Sequence, residues 1–387
     1  MTVTTETWRG RIALMVAHCA GMVDLVALPV WVGTLIARYK FSPQQAGLLA
    51  TLFLLGAVLS SLFFAPRLNR LNARLTAAAG YAAAALVFVA ASRTSEFPLL
   101  ALLHALAGAT AACGLSFTHG TIARSANPHR LFAIVGMALG VFAILFLGLT
   151  PNLVESFGGP ALFIVFAGVM AIAALASAIS FPKGVVRSEE DLIAEVSHLP
   201  RAVWLGIAGI SAMALTQAML FSFIERIGID HGFGAETVTG VLIALGFVNL
   251  LPAPLAALLE TRLPARHVLL AGPVCQALIA VTITFGSGLL AYAVPTAVFA
   301  AVMIFTHTFA FGLLSRLDPT ARALAGTPAM LMIGAAIGPI LGGTLVQLFG
   351  YPALGLGAVV ISSVAVVMFS RVFAARETAS ATSLEIA

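Results

Sequence analysis

Five ionisable side chains stand inside long apolar stretches of this sequence, and their types point to proton chemistry: His18, Asp24, His104, His119 and His307. A charge in hydrocarbon is costly, so such residues normally face a bundle interior or a water-filled path and mark routes of ion or solute passage. Asp24 lies close to the middle of its stretch, where a carboxylate suits a proton carrier whose hold on the proton alternates between access states. His104, in "HALAG", and His307, in "FTHTF", keep a hydrogen-bond donor and belong to the one residue type whose charge ordinarily changes near neutral pH. Asp24, His104 and His307 are therefore the expected proton-coupling residues.

Solute contact is expected from the same residues and the polar groups that accompany them: His18, Asp24, Trp31, His104, Thr216, Gln217, Asn249, Gln276, Thr306 and His307. His18 precedes Asp24 by six residues, which on a helix is about 120° around the axis and roughly 9 Å along it, so the two need not share a face. His119, near the end of its stretch, reads as an interfacial gating residue, and the adjacent Glu225 and Arg226 read as a solvated helix end. No Lys or Arg occupies the middle of any stretch. Inorganic anions such as phosphate favour a bidentate Arg clamp, so a neutral, cationic or zwitterionic organic solute with apolar character fits better, bound among Phe, Met and Trp31.

The elements that must position these groups follow from composition. Of 387 residues 60% are hydrophobic and only 9% charged, with a mean hydropathy of +1.06; a soluble domain carries about a quarter charged residues. The solvent is therefore a bilayer, whose hydrocarbon core takes about 20 helical residues to cross. Twelve runs are long enough: 12–37, 45–66, 75–92, 97–122, 131–152, 160–182, 202–224, 237–259, 268–288, 290–315, 324–349 and 351–373, with "GSGLLAY" separating the ninth from the tenth. None alternates like a strand, and closed helices satisfy their own backbone polar groups in lipid. The first run is too long for a signal-peptide core and stays as a helix.

Basic residues orient the chain. With the N-terminus in the cytoplasm, sixteen Lys and Arg lie inside, leaving only Arg38, Lys40, Arg93 and Arg226 outside, so both termini are expected in the cytoplasm of a bacterial plasma (inner) membrane. Because these cations are scattered through short loops, the formal charge of +5 is a topology signal and implies no nucleic-acid partner. One longer charged connection, 183–201, separates a six-helix half at 1–182 from another at 202–387.

"RLNAR" (Arg70–Arg74) recurs as "RLPAR" (Arg262–Arg266) 192 residues later, and the same shift carries Phe41 onto Phe233, Phe117 onto Phe309, Gly120 onto Gly312, Arg124 onto Arg316 and Arg130 onto Arg322. These matches cluster at loops and helix ends, so the halves read as a parallel repeat, an arrangement that places a transport site at the repeat interface. The shift sets Asp24 opposite Thr216 and Gln217. Over essentially the whole chain these features resemble the major facilitator superfamily, whose loop between helices two and three is matched here by "APRLNRLNARL". Arg70 and Arg74 fill its basic positions, while Asn69 stands where that family has Asp. The resemblance implies a twelve-helix, all-α integral membrane protein in two six-helix halves, with helices one, four, seven and ten lining a central cavity. It also implies gating groups at Asn69, Arg70, Arg74, Glu260 and Arg262, beside His119. "GAAIGPILGG" (Gly334–Gly343) is similar to the Gly-Pro motif of the drug/proton antiporter branch, but lies in helix eleven, whereas that branch carries it in helix five. Gly334, Gly338 and Gly342 recur every four residues and read foremost as a packing face.

No Gly-Lys-Ser/Thr phosphate loop and no His-Glu-x-x-His occur, so neither an ATP-driven pump nor a membrane metalloprotease is indicated. Cys19, Cys113 and Cys275 lack metal or redox spacing and read as small apolar residues. The expectation is a monomeric secondary transporter with no cofactor, using protons and a small organic solute, with efflux by antiport taken ahead of uptake by symport. A metal or metal-chelate carrier and a passive facilitator are the remaining alternatives.

Overall fold

The computed structural model describes residues 3–68, 70–182, 200–317 and 322–385, with side chains except at 129, 315, 322–330 and 375–385. Among these residues every regular element is helical, and twelve helical spans are long and apolar enough to cross a membrane. The chain divides into two compact units, spans one to six and spans seven to twelve. The connection expected at 183–201 falls almost wholly outside the described residues.

In the first unit, span one is two helices, α1 (Trp8–Gly21) and α2 (Val23–Ala37), followed by α3 (Pro43–Phe64), α4 (Ala73–Ala91), α5 (Phe97–Ala123), α6 (Pro128–Phe157) and α7 (Pro160–Ser180). Starts are signalled locally. Ser42 and Gln45 form a reciprocal capping box at α3, the Asn72 side chain accepts from the Leu75 amide at α4, and proline, whose missing N–H costs nothing there, opens α5, α6 and α7. In the second unit, span seven comprises α8 (Arg201–Phe221) and α9 (Ile224–Asp230), and span eight α10 (Ala235–Val248) and α11 (Pro252–Leu259). Then come α12 (Ala265–Phe285), α13 (Leu289–Leu317), α14 (Arg322–Phe349) and α15 (Pro352–Glu385). The "GSGLLAY" boundary lies where the sequence places it, between α12 and α13.

Spans one and seven are the most enclosed: 72% of an apolar 18-residue stretch in each lies buried, against at most 50% for the like stretch of any other span. Span one is interrupted at Met22 (φ −106°, ψ 21°), and one turn upstream the Tyr81 hydroxyl of α4 donates to the Ala17 carbonyl at 2.7 Å. Span seven is interrupted at Ser222, whose hydroxyl bonds back to Ala218 O at 2.6 Å, a contact that loosens the local ladder. Span eight pauses over 249–251 before Pro252, which has no N–H to give to the carbonyl four residues earlier, while Leu251 itself keeps helical angles (φ −88°, ψ −35°).

The repeat is visible in local packing. Phe41, in the loop after span one, packs edge-on against Phe97 at the start of α5 (5.5 Å between ring centres). Its counterpart Phe233, after span seven, packs on Tyr292 near the start of α13 (5.4 Å). Helix contacts are close where glycines meet backbone: Gly56 and Gly108 at the α3–α5 crossing, and Gly334, Gly338 and Gly342 of α14 against α8. The stripe in helix eleven is thus a packing face.

Candidate functional site

Asp24 is buried, 5% exposed, and occupies the first turn of α2 immediately after the break in span one. The break sets the positive end of a helix dipole beside a carboxylate, and the Leu25 amide closes the bend by donating to Met22 O at 3.2 Å. Among the described residues it takes part in no ion pair. An interrupted span with its termini at depth is an arrangement that membrane transporters use around ion and solute sites.

His18 and His119 come together. His18 Nδ1 lies 3.0 Å from His119 Nε2, with ring centres 5.1 Å apart, so this hydrogen bond joins α1 to α5; Phe132 of α6 packs edge-on against His119 at 5.6 Å. Next to the pair, the Tyr81 hydroxyl that reaches Ala17 O also lies 3.3 Å from Thr118 Oγ1.

His104 and Trp31 sit in a different environment from the one their residue types suggest. The Trp31 indole N–H donates to His104 Nε2 at 3.2 Å, and His104 Nδ1 meets Leu100 O at 2.7 Å, which fixes the neutral Nδ1–H tautomer and occupies both ring nitrogens. Trp31 is 0% exposed among Phe53, Phe88 and Phe166, and Phe163 packs on His104. Neither ring offers a face to a solute, and the pair reads as the polar knot of an aromatic core. Replacing His104 by Leu strands the buried indole N–H; the expected cost is about 1–3 kcal/mol of stability, measured by denaturation of purified protein, with His104→Gln, which retains an acceptor, closer to the parent.

In the second unit, Gln276 Nε2 donates to Met213 O and to Gln217 Oε1, both at 3.2 Å, so α12 and α8 share an amide cluster. Gln276 Oε1, Thr216 Oγ1 and Asn249 Oδ1 are buried without a protein partner among the described residues. His307 Nδ1 meets Met303 O at 3.0 Å and the ring packs on Phe311 at 4.9 Å, leaving Nε2 as the ring's remaining acceptor. Thr306 and Thr308 bond back to Val302 O and Ile304 O at 2.8 Å each, and Thr306 is pressed against Gly272.

The expected gating groups separate. Asn69 lies outside the described residues. Arg70 and Arg262 are exposed. Arg74 Nε donates to Ala178 O at 2.7 Å, capping the carbonyl end of α7 within its own half. Glu260 faces Arg316 at 3.6 Å, with both side chains largely exposed; the sequence reading had set Glu260 beside Arg262. Arg316 is the repeat counterpart of Arg124, which donates from Nε to Gly120 O at 2.8 Å and whose guanidinium burial pulls below its usual range.

Glu225 corrects an expectation. It is no solvated helix end: Glu225 Oε2 and Arg226 Nε are both buried without a hydrogen-bond partner among the described residues. The other end of the Arg226 guanidinium pairs with Asp230, which also accepts from the Tyr351 hydroxyl at 2.5 Å. Burial foremost, then Asp230, pushes that hydroxyl well above its usual range. In the loop after span one, burial pushes the Tyr39 hydroxyl up to about 12. The tie to Tyr351, 121 residues away, had no local signal in sequence.

Cys19 and Cys113 are buried and free, Cys275 exposed and free, and no group of three or more metal-ligating side chains occurs among the described residues. Residues 13–327 match the sequence profile described as Major Facilitator Superfamily. Crystal structures of the nucleoside transporter NupG share the fold. An aspartate-to-alanine variant superposes with a TM-score of 0.72 at 13% identity, covering 94% of this chain and 99% of that one. A second NupG structure gives 0.70 at 14%, covering 95% and 98%. No curated protein sequence matches.

Proposed function

The chain belongs to the major facilitator superfamily, and from that premise we propose that it moves a small neutral organic solute by alternating access, exchanging a proton at Asp24 in each cycle. It is a multi-pass membrane transporter; the location read from its loops is a bacterial inner membrane with both termini in the cytoplasm. One observation carries the proton reading: a buried carboxylate stands directly after the break in span one and has no cationic partner among the described residues. An unpaired charge in such a place is costly, so gaining and losing a proton changes the energy of the state that holds it.

The second half supports a neutral solute. Among its buried polar groups without partners are the amide and hydroxyl oxygens of Gln276, Asn249 and Thr216, and a solute's N–H and O–H groups would repay their desolvation. Nucleosides head the solutes to test: two structures of like fold are of a nucleoside transporter, and side-chain amides pair with base edges. Efflux by antiport remains ahead of uptake by symport on the sequence resemblance of the Gly-Pro stretch in helix eleven.

The test is transport in proteoliposomes of nucleosides, organic cations, sugars and amino acids under imposed pH gradients. One solute class should accumulate, and reversing the gradient should reverse the accumulation. Flux indifferent to the gradient would make the protein a passive facilitator.

A further inference from the structure

Building on the reading of Asp24 as the proton carrier, we propose that His18 and His119 form a two-imidazole wire that passes the proton between Asp24 and the end of the first half where span one begins and span four ends. Three placements carry this. His18 lies six residues before Asp24 in span one, His119 lies four residues before Ala123 at the end of α5, and the two rings share a hydrogen bond of 3.0 Å. The hydrogen-bonded pair therefore lies between the level of Asp24 and that end, with roughly 9 Å of helix rise between His18 and the carboxylate. Separately in sequence they are two modest candidates; joined, they are a path.

The chemistry balances without a co-reactant. In one neutral arrangement His18 carries its hydrogen on Nδ1 and donates it to His119 Nε2, while His119 carries its own on Nδ1. A proton arriving on the bare His18 Nε2 lets the shared proton pass to His119 Nε2, and His119 releases the one on Nδ1. One proton enters and one leaves. Each ring is left as the opposite tautomer, and passage in the reverse direction, or a flip of both rings, resets the pair.

The surroundings favour a wire over a trap. The helix α4 brings Tyr81, whose hydroxyl hydrogen goes to Ala17 O. Helix α6 brings the Phe132 ring and, near the same end, the exposed Arg130. The helices α3 and α7 bring no ionisable residue; α1 and α5 add Cys19, Cys113, Arg9, Arg11, which pairs with Glu6 at 2.8 Å, and Arg124, turned back to Gly120 O. No carboxylate among these groups pairs with an imidazole to hold its charge in place.

The test uses substitutions that keep the hydrogen bond and remove the relay. Asn places its amide near the position of Nδ1, and Gln near that of Nε2, so His18→Asn and His119→Gln preserve the link between α1 and α5 but do not shuttle protons. In proteoliposomes with an entrapped pH dye, each should lower solute-driven proton movement by about tenfold or more, while solute-for-solute exchange, which needs no net proton transfer, falls much less. Proton movement that persists in both variants but is lost in Asp24→Asn would overturn the wire alone. Exchange falling in step with proton movement would assign the pair a structural role and overturn it equally. Absence of proton movement in the unmodified protein would remove the Asp24 reading and the wire together.

Discussion

Asp24→Asn equilibrates the solute but no longer concentrates it. With one proton exchanged per solute, each pH unit across the membrane is worth about 1.4 kcal/mol, which sustains a solute ratio of roughly ten. Asn has nearly the shape of Asp, so the local fold at the break in span one persists while the titrating group is gone. The expected accumulation ratio is therefore about one at every gradient, and Asp24→Glu restores part of the parental value. Steady-state uptake of labelled solute at several imposed gradients measures this directly. A ratio that still follows the gradient in Asp24→Asn would move proton coupling to another residue, with His307 the first to examine.

Gly108→Val and Gly334→Val should each abolish the folded protein or nearly so. A Cβ at Gly108 would stand 1.8 Å from Phe53 O, and one at Gly334 would stand 2.1 Å from Ser211 O. In both cases the obstacle is the main chain of the neighbouring helix, which has no rotamer to change. Overpacking that side chains can absorb costs about 1–3 kcal/mol; here α3 must leave α5, or α8 must leave α14, and the contacts along the whole crossing go with it. Gly136 is the control, since nothing lies within 4 Å of a Cβ there, and Gly136→Ala should be neutral or slightly stabilising through helix propensity. Yield of monodisperse protein and its thermal midpoint distinguish the two outcomes. A well-folded Gly108→Val protein would mean that α3 and α5 are not in the contact described.

What was legible in the sequence is what one element decides by itself. Span number came from run length, and helix starts from Ser42, Asn72 and proline. The repeat came from matches at loop ends, and the Phe41 and Phe233 contacts show that it extends to packing. Asp24 stood out because a carboxylate in an apolar run has no local excuse. The break that places it at a helix start did not, because Gly21 and Met22 are unremarkable in a membrane helix and the Tyr81 hydroxyl that engages Ala17 O comes from 64 residues away. Pairing of His18 with His119 depends on the register of α1 against α5, which periodicity does not supply. Trp31 and His104 were assigned to the solute because aromatic and titratable groups in a transporter suggest a site; their mutual hydrogen bond and the rings around them show an interior role that residue type alone hides. Glu225 was read from its neighbour in sequence, although its surroundings are set by how the first turn of α9 packs.

The central claim is that solute passage and proton passage are one cycle centred on Asp24, and the most direct measurement is the count of protons moved per solute in proteoliposomes with an entrapped pH dye and labelled solute. The account predicts a fixed, non-zero ratio in the unmodified protein and a ratio of zero in Asp24→Asn, with solute exchange still detectable. Solute movement with no accompanying protons, equal in the two proteins, would contradict it.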